Sequence, residues 1–108
     1  MGQSAQQMVR MAKITVDPAQ LEAYNAALTL QMNSAIRLDP GVLSYYAVAD
    51  KKAPSHITII EVYADSAAYQ HHITTPHFLQ YKATVKDMVK SLELVDLTVV
   101  GIARKPGM

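Results

Sequence analysis

The sequence predicts an α+β domain with the element order β-α-β-β-α-β, the ferredoxin-like split βαβ plan. Three observations carry that reading. Segments with apolar residues at helical spacing alternate with short stretches rich in Val, Ile, Leu and Tyr. Turn signals, Asp39-Pro40-Gly41 among them, separate these segments. The second helix is interrupted at Thr75-Pro76, so it reads as two helices meeting at a corner.

The elements follow in order. Met8 to Val16 reads as a first strand, with imperfect alternation. Asp17-Pro18-Ala19-Gln20 opens a helix: Asp17 caps, Pro18 takes the first helical position, and Gln20 stands where a capping box wants Glu or Gln. Leu21, Tyr24, Leu28, Met32 and Ala35 or Ile36 then mark one buried face, and Asp39-Pro40-Gly41 ends the helix. Val42 to Ala49 and His56 to Tyr63 read as strands joined by the polar connection Asp50 to Pro54. Asp65 or Ser66 caps a short helix through His72. Thr75 caps the next, which runs from Pro76 to about Lys90 with Phe78, Tyr81, Val85, Met88 and Val89 at helical spacing. Glu93 to Ile102 reads as the last strand. The domain is assigned to 9–105, with a polar tail over 1–8 and a short tail over 106–108.

Composition narrows the function. The chain has 108 residues, 50% apolar and 18% charged, which suits one globular domain with one modest core. A net charge of +1 with mixed signs gives no reason to expect a nucleic-acid or membrane surface. The absence of cysteine rules out disulfides, thiol nucleophiles and thiolate metal sites. No apolar run approaches the ~18–20 residues of a membrane span. The start, Met1 to Gln7, reads as a polar tail rather than a signal peptide. A cytoplasmic location is therefore expected, with export after removal of a leader left open. The four glycines form no phosphate-cradling or dinucleotide loop, and no Gly-x-Ser-x-Gly motif occurs.

The strands are apolar at both parities: Ile57 and Ile59 against Ile60 and Val62, and Leu92 and Leu94 against Val95, Leu97 and Val99. A sheet with one wet face should alternate more cleanly. A homodimer, with a second sheet on the open face, is the expected remedy.

Three of the four histidines fall in the run His71-His72-Ile73-Thr74-Thr75-Pro76-His77-Phe78. His72 ends one helix and His77 opens the next. His72 reads either as a base in a pocket or as a histidine favoured by a helix C-terminus. His77 reads either as a ligand of substrate oxygen or as a packing residue. His71 and His56 read as surface residues. Glu61, an acid inside an apolar strand, either orients an imidazole or pairs at a rim. Tyr45, Tyr63, Tyr69, Tyr81 and Phe78 offer walls for a small aromatic ring, and Asn33 is a candidate for positioning a substrate oxygen. A metal would need three converging ligands, and His72 and His77 are not an i, i+4 pair, so no metal is expected.

The run Leu38-Asp39-Pro40-Gly41-Val42-Leu43-Ser44-Tyr45, the segment Ile60-Glu61-Val62-Tyr63, the pair Ala68-Tyr69, and His72-x-x-Thr75-Pro76-His77-Phe78 resemble the antibiotic biosynthesis monooxygenase (ABM) family, in its quinol monooxygenase-like branch. The resemblance spans roughly Val9 to Ala103. It implies a ferredoxin-like protomer paired into a dimeric α+β barrel. It also implies oxidation of a small quinol or aromatic polyketide-like substrate by molecular oxygen with no bound cofactor. His72, His77 and Glu61 then stand as catalytic candidates. The same family includes an isomerase, which would use these histidines as proton shuttles, and a non-catalytic, stress-associated binding role is a further alternative. Haem-degrading relatives carry an asparagine in the first strand, a tryptophan near His72 and a haem-ligating histidine later. Here Ile14 and Lys82 stand near the first and last of these places and the chain has no tryptophan, which counts against haem degradation.

Overall fold

A computed structural model describes residues 7–107. Strand β1 (Met8–Val16) is the spine of a four-stranded antiparallel sheet ordered β2-β3-β1-β4. β2 spans Val42–Asp50, β3 Ala53–Tyr63 and β4 Val89–Leu97. Helices α1 (Leu21–Leu38), α2 (Ser66–His72) and α3 (Pro76–Val85) complete the β-α-β-β-α-β plan, with the second helical segment divided as its Thr-Pro corner predicts. The polar tail expected over 1–8 lies largely outside the described residues, and Met8 already belongs to β1.

The core lies between the helices and one face of the sheet. Ala12, Ile14 and Val16 of β1 and Ile57 and Ile59 of β3 pack there against Tyr24 and Leu28 of α1 and Tyr81 and Val85 of α3. The buried face of α1 is Tyr24, Leu28, Gln31 and Ala35. Gln31 therefore stands in the stripe, Met32 is only partly buried, and Ile36 is exposed. Side chains alternate across a strand, so Arg10 and Glu61, opposite one another in the β1–β3 register, share the helix side with Tyr63. The other face presents Val9, Met11, Ile60, Val62, Val95 and Leu97, with Tyr46 67% and Val48 50% exposed.

Local signals set the helix ends. The Asp17 carboxylate accepts from the Ala19 N–H, but the first turn, Pro18–Gln20, is a 3-10 turn and α1 begins at Leu21. Asp65 caps α2 by accepting from Ala68 N–H at 2.8 Å. Thr75 caps α3, and Pro76 stands at its start.

β3 and β4 begin earlier than expected, at Ala53 and Val89 rather than His56 and Glu93, and two far ends also differ. α3 ends at Val85 rather than near Lys90, because the chain turns there: Met88 N–H donates to Val85 C=O, and Met88 C=O accepts from Asp17 N–H, each at 2.8 Å. Met88 and Val89 still pack on the core, so their apolar character serves a turn and a strand. β4 ends at Leu97 rather than Ile102, because its partner β1 begins at Met8 and the ladder closes at Val9 with Leu97. Val100 and Ile102 lie beyond it, exposed.

Candidate active site at the meeting of three helix ends

The turn after α1 places a carboxylate inside the protein. Asp39 N–H donates to Ala35 C=O at 2.8 Å, and Asp39 C=O accepts from Val42 N–H at 3.0 Å. The side chain is 4% exposed. Gly41 then lets α2 approach closely: a Cβ at this position would collide with Ala68 Cβ.

α2 brings His72 to the same point, with no exposed surface. Thr75 ties the two short helices together. Its hydroxyl donates to His72 C=O at 2.7 Å and accepts from Phe78 N–H at 3.4 Å. The corner folds His77 back toward His72. His72 Nδ1 and His77 Nε2 both lie 2.9 Å from Asp39 Oδ2. On its other side His72 Nε2 is 3.3 Å from the Tyr45 hydroxyl, to which Gln31 Nε2 donates at 2.9 Å. Phe78, Tyr63, Tyr45 and His77 surround the His72 ring at centroid distances of 5.0, 5.6, 6.0 and 6.0 Å.

Charge follows from these contacts. Burial alone would raise the Asp39 pKa, but the hydrogen bonds from His72 and His77 outweigh it and hold the carboxyl below its usual range. Burial lowers the His72 pKa against the pull of Asp39, favouring the neutral ring. Beside an ionised Asp39, the His72 proton belongs on Nδ1 and a lone pair on Nε2 faces Tyr45.

A second cluster adjoins the first. Tyr63 donates to Glu61 Oε1 at 2.5 Å. Burial raises the Glu61 pKa, opposed by that hydrogen bond and by the charges of Arg10 and Lys82. Burial also raises Tyr45, Tyr63 and Tyr81. The Tyr24 and Tyr81 hydroxyls meet at 2.6 Å. Tyr69 lies at the rim, edge-on to Tyr63 and under the Arg10 guanidinium, which also holds Asp96. Leu92 and Leu94, in register with Ile14 and Ala12, face this side but stay 45% and 51% exposed, so the sheet near β4 is open to solvent.

Of the residues singled out in the sequence, His72, His77, Tyr45, Tyr63 and Phe78 come together, with Glu61, Tyr69 and Tyr81 adjoining. Asn33 does not join them: it is exposed in a groove between α1 and β2 with Met32, Ala47 and Val48. His71 and His56 are exposed, as expected. Asp39 and Gln31 are the residues sequence reasoning missed. Asp-Pro-Gly is fully accounted for as a turn, and Gln31 carried only its helical spacing. The five-residue gap between His72 and His77 is not an obstacle to a shared ligand, because the Thr75-Pro76 corner folds across it. Asp39, His72 and His77 each offer a metal-ligating atom, all within 4.8 Å of one another.

A family model described as antibiotic biosynthesis monooxygenase matches residues 8–84, which contain every member of this cluster. The chain belongs to the ABM family. A candidate antibiotic biosynthesis monooxygenase from Bacteroides thetaiotaomicron is 50% identical, with a TM-score of 0.91 over 94% of this chain and 99% of that one. A candidate monooxygenase from Lactobacillus acidophilus is 29% identical, with a TM-score of 0.85 over 87% of this chain and 45% of the other. A protein from Nitrosomonas europaea, also named for the family, shares 21% identity and the fold, with a TM-score of 0.83 over 89% of this chain and 92% of that one. No curated protein matches this ABM chain. No helix among its described residues is long and apolar enough to cross a membrane.

Proposed function

We propose that the protein is a cofactor-independent monooxygenase that oxidises a small quinol or aromatic polyketide-like substrate with molecular oxygen. The observation that carries this reading is the alignment of Asp39, His72 and Tyr45. A buried carboxylate fixes one imidazole proton, and the opposite nitrogen is free to accept another. The substrate ring lies on the helix side of the sheet, against Tyr63, Phe78 and Tyr81, with Tyr69 at the mouth.

The Tyr45 hydroxyl takes the proton of a substrate hydroxyl as it passes its own to His72 Nε2. His77 holds Asp39 in place, and Glu61, hydrogen-bonded to Tyr63, is a second proton acceptor. The electron-rich substrate anion gives one electron to oxygen, and the resulting radical pair forms a carbon–oxygen bond. Loss of water from the hydroperoxide leaves a hydroxyquinone. One oxygen atom enters the product and the other leaves as water, with all four electrons drawn from the quinol. The apolar walls keep bulk water from the radicals. A second protomer covers the open sheet face, completing a homodimer.

The test is oxygen uptake by metal-stripped protein against a panel of quinols and polyphenols, with labelled oxygen traced into product by mass spectrometry. Turnover is expected without flavin, haem or added metal, and Tyr45→Phe should lower kcat. Turnover that appears only on adding iron, haem or flavin overturns the reading.

A further inference from the structure

We propose that Asp39, His72 and His77 form a binding site for one divalent transition-metal ion of the class that favours imidazole and carboxylate ligands, such as Zn2+, Co2+, Ni2+ or Fe2+. The three side chains come from the turn after α1, the end of α2 and the start of α3. Both histidine nitrogens lie 2.9 Å from one Asp39 oxygen. With metal–ligand bonds of about 2.0–2.2 Å, donors so spaced subtend nearly a right angle at the ion. That is the relation of neighbouring positions in an octahedral shell.

Three further observations favour an ion. First, Asp39 is a buried carboxylate whose ion-pair partners, among the described residues, are the two histidines and no Lys or Arg. A buried charge requires compensation. The two imidazoles supply hydrogen bonds, whereas a divalent ion supplies the compensating charge in full. Second, a metal-bound histidine rests its other N–H on an acceptor. With Nδ1 on the ion, His72 Nε2–H points at the Tyr45 hydroxyl, itself anchored by Gln31. Third, His77 is 15% exposed and lines an open groove of about 450 Å³ between α1 and α3, so solvent reaches one member of the otherwise buried triad. Loading replaces the two hydrogen bonds to Asp39 by metal–nitrogen bonds, and each metal-bound ring carries its proton on the opposite nitrogen, Nε2 in His72 and Nδ1 in His77.

One consequence rests on the oxygenase reading above. The loaded His72 presents an N–H to Tyr45 instead of a lone pair, so the ion inhibits turnover instead of supporting it.

The test titrates metal-stripped protein with Co2+ and Zn2+, read by calorimetry, Co2+ visible absorption and imidazole NMR. One ion per chain is expected, with the His72 and His77 signals displaced and the thermal midpoint rising with metal concentration. His77→Ala should abolish binding at concentrations that saturate the wild type, with circular dichroism confirming its fold. Tyr45→Phe, which removes the outer acceptor, should weaken binding by about 10–100-fold. His71→Ala, one exposed residue away, should leave it unchanged. Absence of binding at millimolar metal, or binding that survives His77→Ala or follows His71, overturns the proposal. Binding that displaces both rings without slowing oxygen uptake leaves the site standing and counts against His72 as the base.

Discussion

Asp39 and His72 are 33 residues apart in the chain, yet the Asp39 carboxylate accepts a hydrogen bond from His72 Nδ1 at 2.9 Å with both side chains buried. This contact orients the imidazole and settles which nitrogen faces Tyr45. The His77 N–H on the same oxygen makes Asp39 the shared acceptor of two helix ends.

Asp39→Asn tests that relationship with little change of volume. It replaces an acceptor of two N–H groups by an amide that cannot serve both with the same charge. The expected loss is about 1.5–3 kcal/mol of stability, the worth of hydrogen bonds to a charged group. Turnover should fall by about 10²–10⁴, the usual contribution of a general base. Urea unfolding and oxygen uptake measure the two separately. A variant with wild-type kcat would remove Asp39 from the proton path.

Gly41→Ala should act on the site from outside it. The added Cβ has no room beside Ala68, so α2, and His72 with it, must shift. Overpacking of this kind costs about 1–3 kcal/mol. The double variant Gly41→Ala with Ala68→Gly should recover part of that loss. A double-mutant cycle by denaturant unfolding measures the coupling, and strict additivity of the two changes would contradict the contact.

Glu61 should leave a signature in the pH dependence of stability. Burial raises its folded-state pKa above the ordinary carboxylate range, so the folded protein holds this proton more tightly than the unfolded chain. Its contribution is fully present below the unfolded pKa and is lost as pH rises through the folded value. Glu61→Gln cannot ionise and should lack that decline. The comparison is urea unfolding of both proteins across the acidic range upward to neutrality. Parallel curves would show that Glu61 titrates as it does in the unfolded chain.

The open sheet face predicts the oligomeric state. The chain mass is 11.9 kDa, so light scattering should report about twice that at micromolar concentration. Tyr46→Lys combined with Leu97→Lys places two charges on the apolar face and should shift the protein toward monomer. A wild-type protein that stays at the mass of one chain would show that this face has another use.

Much of the architecture is legible without coordinates. The stripe Tyr24, Leu28, Ala35 marks the buried face of α1, Asp65 and Thr75 act as caps through their immediate neighbours, and Pro76 starts α3. Such signals are local: each depends on residues within a turn or two, so the chain carries them in plain order. The failed boundaries were non-local. Where α3 stops depends on the Asp17–Met88 hydrogen bond, and where β4 stops depends on the length of β1.

The site divides in the same way. The sequence by itself determined that His72 and His77 flank one helix corner, and it offered Glu61 and several tyrosines as candidates without deciding whether they join it. Only the tertiary structure decided that Asp39 joins both histidines, that Gln31 anchors Tyr45, and that Asn33 faces a different groove. Side-chain direction and long-range packing decide these. An aspartate in a Pro-Gly turn and a glutamine in a helix look the same in sequence whether they face water or a buried imidazole. The close approach of α2 to Gly41 is what selects the second arrangement.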